Sequence, residues 1–174
     1  MQDDDAAGKV ASAGSWLSGV LVAVGWYIFF DGLLQATADC VLWNSQLADH
    51  CGYNTTHPRD HLKAPDGLTN GAYWAPGIIG FLGAIMLNLI SLEAVTDGGS
   101  FDDGVQSKAR CWVFFSLLMM FCSIGGAIWI IVVDLQLGDG YYHWGGIAVL
   151  IQNILVFLGG LLFRIVRRSG DHAV

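Results

Sequence analysis

Between Cys40 and His61 the chain gathers its most reactive side chains: two cysteines and the histidines His50, His57 and His61. His57 and His61 stand in the H-x3-H spacing that can suit zinc. Structural zinc sites use tight cysteine pairs, however, whereas ten residues separate Cys40 from Cys51. No helical pattern fixes the two histidines on one face, so they are expected to be solvated loop residues. In an oxidising compartment Cys40 and Cys51 could pair instead, closing the loop "CVLWNSQLADHC" and contributing about 2–3 kcal/mol to its order. The sequon Asn54-Thr55-Thr56 beside them is a glycosylation acceptor if that loop is lumenal.

Reactive groups elsewhere are sparse. No G-x-S-x-G, no H-E-x-x-H and no lysine-terminated phosphate loop occurs, so no catalytic constellation, cofactor or metal centre is expected. What remains is a set of polar residues inside apolar runs: Asp31, Asn88, Glu93, Asp134, Gln152 and Asn153. Intramembrane polar residues are candidates for functional sites by default, which makes depth the deciding quantity. Counted along the runs, Asp31 and Asp134 fall near one boundary and Glu93 near the other. Asp31 is expected to end or anchor its helix, close to Asp134. Asn88, Gln152 and Asn153 are expected deep, as hydrogen-bonding links between helices worth about 0.6 kcal/mol each.

The elements that must hold these residues are set by composition. Hydrophobic residues make up 54% of the 174 and charged residues 13%, about half the charge of a soluble domain. Four apolar runs, roughly 15–34, 73–95, 111–135 and 144–166, are long enough to cross a bilayer. Backbone groups in hydrocarbon must be satisfied within the segment, so these runs predict helices. The expected fold is an all-α four-helix transmembrane bundle occupying 15–166, with a short acidic tail before it, a long first loop at 35–72 and a second tail after 166. The net charge of −7, with few basic residues, argues against a nucleic-acid partner. An A-x-A pattern in "ATADC" allows a signal peptide, but three aspartates precede the first run, and an uncleaved helix is expected.

Basic residues orient the bundle. Lys9, Lys108, Arg110, Arg164, Arg167 and Arg168 belong to the two tails and the second loop, against Arg59 and Lys63 in the first loop. Both termini are therefore expected in the cytosol and the first loop in the lumen. Small residues punctuate the runs: Gly77, Gly80, Gly83 and Ala84, then Gly125–Gly126, then Gly159–Gly160. Such residues let helix backbones approach closely, and these are the expected packing positions, either within the bundle or against a partner helix.

Four segments in order, "GVLVAVGWYIFFDG", "YWAPGIIGFLGAIMLNLIS", "ARCWVFFSLLMMFCSIGGAIWIIV" and "GIAVLIQNILVFLGGLLFR", resemble the small four-span eukaryotic family of transmembrane protein fifty and vacuolar protein sorting sixty-eight. Gln152, Asn153, Gly159, Gly160 and the closing Phe163–Arg164 carry the resemblance most specifically, supported by Gly25–Trp26 and Asp31. It covers the four helices and excludes the tails and the first loop, which is longer than the family's usual segment. The resemblance implies an endosomal, Golgi or endoplasmic-reticulum protein without enzymatic activity. It also implies a trafficking role in complex with another integral membrane protein of the leptin-receptor-overlapping-transcript family, with lipid around both. Two other readings stay open: a small transporter or channel subunit using Asp31, Asn88, Gln152 and Asn153, and an accessory subunit of a larger membrane enzyme complex, mitochondrial included.

Overall fold

A computed structural model describes residues 2–43, 71–90, 103–136 and 144–171. They form four helices: α1 Gln2–Trp43, α2 Gly71–Leu89, α3 Asp103–Gln136 and α4 Trp144–Asp171. Each contains a segment long and apolar enough to cross a membrane: Gly8–Gln35, Gly71–Leu89, Gly104–Val133 and Trp144–Arg167. The described residues are all-helical as expected, but the helix limits differ from the apolar runs. At a rise of about 1.5 Å per residue, α1 is about 63 Å long, twice the hydrocarbon thickness, so it continues past the membrane. It does so because no proline interrupts residues 2–43 and three aspartates sit in its first turns, where the helix dipole favours negative charge. α2 tolerates Pro76 near its start, where Gly126 of α3 leaves room for the ring; a Cβ on Gly126 would lie 3.4 Å from Pro76 Cγ.

The helices do not form a square. The backbone of α4 packs against all three others, α2 also packs on α3, and α1 packs its backbone on α4 alone. Ser18, Gly25 and Gly32, seven apart along α1, are buried against α4. Ser18 Oγ donates to Gly159 O at 2.8 Å. Rings bridge the wider gap from α1 to α2: Phe29 meets Trp74 at 5.1 Å and Trp26 meets Phe81 at 5.8 Å, both edge to face.

These contacts fix the directions. Gly14 lies beside Val166 while Gly32 lies beside Ala148, so α1 and α4 run antiparallel. Gly77 faces Gln152 and Gly160 faces Ala84, so α2 and α4 run parallel. The start of α1, the end of α2, the start of α3 and the end of α4 share one end of the bundle.

Two apolar clusters stack along the bundle axis. One joins Phe29, Leu33, Tyr73, Ala127 and Val149, and the other Ala84, Leu87, Met120 and Val156. Between those clusters α2 brings Gly77 and Gly80, α3 brings Ser123, and α4 brings Gln152 and Asn153.

Candidate functional site

The residues between the clusters form a polar layer. Gln152 is fully buried, and Asn153 and Ser123 are each 2% exposed. Gln152 lies eight residues beyond Trp144 and twelve before Arg164, about 12 Å and 18 Å along α4, well inside the membrane span. Asn153 Nδ2 donates to Val149 O of its own helix at 2.8 Å, and Ser123 Oγ donates to Met120 O of its own helix at 2.8 Å. Both amide atoms of Gln152 and Oδ1 of Asn153 have no hydrogen-bond partner. The two amides were expected to link helices by hydrogen bonds; they do not. They meet α2 at glycine backbone, which offers no side-chain donor or acceptor. An unpartnered buried amide costs about 1–3 kcal/mol.

Glycine makes this approach possible. A Cβ built on Gly77 would stand 2.7 Å from both Nε2 and Oε1 of Gln152. One on Gly80 would stand 2.6 Å from Ser123 Oγ and 2.8 Å from Asn153 Oδ1. The small-residue face read from the sequence is therefore the wall of the amide layer. Gly159 and Gly160 also pack, against Ser18 and Val22 of α1 and against Ala84 and Met120 respectively. Gly125 does not pack: it is exposed, with nothing within 4 Å of a Cβ, because that side of α3 faces outward.

Asp31 does not end its helix, which continues to Trp43. Half-buried, it accepts the indole N–H of Trp144 across 3.2 Å, tying α1 to the first residue of α4. Asparagine offers the same acceptor, so Asp31→Asn is expected to keep the indole bond, whereas Asp31→Leu breaks it; a shift of Trp144 emission in Asp31→Leu alone checks this. Asp134 occupies the last turn of α3, and its side chain lies outside the described residues, as do Glu93, Cys51, Asn54 and the side chain of Cys40.

Asn88 was expected deep, but α2 ends at Leu89, which puts Asn88 in its last turn. Its Nδ2 donates to Ala84 O at 2.8 Å and across to Gly160 O at 3.2 Å. Here the sequence reading missed the main feature. A helix leaves its last four carbonyls without intrahelical partners. Three of them are taken by other helices: Trp112 Nε1 donates to Met86 O at 2.8 Å, Arg164 Nη1 to Leu87 O, and Arg167 Nη1 to Asn88 O at 3.1 Å. The cationic guanidiniums also oppose the negative end of the helix dipole. A signal existed: the two arginines close the fourth apolar run, where a bundle of this connectivity puts them level with the end of the second.

Among the described residues no group of three or more histidine, cysteine, aspartate or glutamate side chains could hold a metal ion. Cys111 and Cys122 are free and exposed on α3.

Residues 3–172 match an uncharacterised protein family, UPF0220. The chain is similar to a transmembrane protein 50 homolog of Dictyostelium discoideum, 29% identical over 161 residues that cover 90% of this chain and 91% of the relative. It is also similar to vacuolar protein sorting-associated protein 68 of Saccharomyces cerevisiae, 22% identical over 159 residues, 84% of this chain and 73% of the relative. No solved structure matches it. Four membrane-length helices in sequence order, and a match that spans nearly the whole chain, make this protein a member of the UPF0220 family.

Proposed function

We propose that this protein is a non-enzymatic four-span subunit that serves endomembrane sorting by packing against another integral membrane protein. The observation that carries the proposal is a face of α1 that no described residue covers. That helix spends one side on α4 and leaves Ser15, Gly19 and Ala23, four apart, along a shallow groove edged by Trp16 and Val20. Trp16 is 76% exposed, and nothing lies within 4 Å of a Cβ at Gly19. A small-residue file between bulky edges is a surface on which a second helix can approach closely. The name of the yeast relative supports a sorting role, and the basic residues at the shared end of the helices support cytosolic termini. By family resemblance the partner is a protein of the leptin-receptor-overlapping-transcript class.

The amide layer does not favour solute transport through one chain. The apolar cluster of Ala84, Leu87, Met120 and Val156 separates it from Asn88, and that of Phe29, Leu33, Tyr73, Ala127 and Val149 covers its other side.

Purification of the full chain from its own membranes in mild detergent, followed by mass spectrometry, is expected to recover a membrane partner. Gly19→Leu is expected to lose that partner while keeping the thermal stability of the wild type, since the added side chain meets nothing in the bundle. A strictly monomeric wild-type protein would overturn the reading.

A further inference from the structure

Gln152, Asn153 and Ser123 present more hydrogen-bonding capacity than the protein uses. Gln152 carries two N–H donors and a carbonyl acceptor, all unengaged, and Asn153 Oδ1 is a second free acceptor. Ser123 gives its proton to Met120 O and keeps its lone pairs. These atoms cluster. A Cβ on Gly80 would stand 2.6 Å from Ser123 Oγ and 2.8 Å from Asn153 Oδ1, so the two oxygens lie close enough together for one water at hydrogen-bond distance to bridge them. The Gln152 amide lies one helical turn away, over Gly77.

The chemistry narrows the occupant. A cation would find only neutral oxygens, since no described carboxylate stands in the layer, and a buried charge without a counter-charge is strongly disfavoured. A side chain from another protein cannot reach an amide with no exposed surface. A molecule that both donates and accepts, and is small enough to sit inside a bundle, matches free donors and free acceptors together. Water does this, and buried water typically bonds about three otherwise unsatisfied polar groups.

We propose that the layer formed by Gln152, Asn153 and Ser123 is an internal water-binding site, sealed by the apolar clusters on both sides. Water there joins α3 to α4 by hydrogen bonds that their side chains do not make directly. The two glycines of α2 roof the site. This assignment is independent of the sorting role and goes beyond it.

Water-edited solid-state NMR of the full chain in lipid bilayers tests the site. Polarisation is expected to pass from water to the side-chain nitrogen of Gln152 but not to the backbone amides of Val149 and Val156 in the flanking clusters. The exposed guanidinium of Arg167, near the end of α4, serves as the wetted control. Gly77→Ala places a methyl 2.7 Å from both amide atoms and is expected to abolish the transfer at Gln152 while leaving Arg167 unchanged. A wild-type Gln152 signal no stronger than that of Val149, with Arg167 wetted, would show a dry layer and overturn the proposal. Transfer that persists unchanged in folded Gly77→Ala would equally overturn the location assigned here.

Discussion

Gly83→Val is expected to destabilise the bundle more than any other single substitution considered, by about 3 kcal/mol, the upper part of the usual range for overpacking. A Cβ at position 83 would stand 2.8 Å from Met120 Cγ and 3.0 Å from Ser116 O. The methionine could swing aside, but the carbonyl belongs to the backbone of α3 and moves only with the helix. Valine adds two methyls beyond that Cβ, so α2 and α3 must separate. Separation would also disturb the neighbouring contacts of Gly80 with Ser123 and of Met86 with Trp112. At roughly 2–4 °C per kcal/mol for a chain of this size, the melting temperature falls by about 6–12 °C. Gly125→Val is the matched control: the same change on an outward face, where no atom lies within 4 Å, is expected to stay within about 0.5 kcal/mol of the wild type. Equal losses at the two positions in a thermal melt would show that α2 and α3 do not approach as described.

The second large effect is expected at the end of α2. Arg164→Leu removes a charged donor from Leu87 O, and a hydrogen bond to a charged group contributes about 1.5–3 kcal/mol. The freed carbonyl lies at the edge of the span, where water replaces the donor poorly. Fraying of the last turn should follow, visible as faster hydrogen exchange of the amides from Met86 to Leu89. Arg167→Leu is expected to cost less, because Arg167 is exposed and its bond to Asn88 O can be replaced by solvent. Arg164→Lys retains a positive donor and should recover part of the loss. If Arg164→Leu left the exchange of Met86–Leu89 unchanged, the arginine would not be capping α2.

Much of the architecture is written in composition. Apolar runs of membrane length force helices, because in hydrocarbon only a helix satisfies its own backbone within a single segment. Their number and order follow directly. Gln152 and Asn153 were legible as deep amides, since they stand mid-run with no charge nearby. Gly77 and Gly80 were legible as a packing face, since nothing else explains small residues at that spacing in a helix otherwise rich in isoleucine and leucine.

Azimuth was not legible. In a soluble protein the polar side of a helix announces which face is buried. Here both the interior and the lipid-facing surface are apolar, so Gly125 and Gly126 look equivalent although only Gly126 meets α2. Long-range partners were hidden for the same reason. Asp31 and Trp144 lie 113 residues apart, and Arg164 and Leu87 lie 77 apart; nothing local signals either pair. Composition and run length were enough for four helices of membrane-crossing length and for the mid-run position of the two central amides. Which glycines touch, which carbonyls the arginines cap and how the amides are enclosed emerged only from the packed helices, because those depend on helix rotation, and lipid leaves rotation unmarked in the pattern of residues.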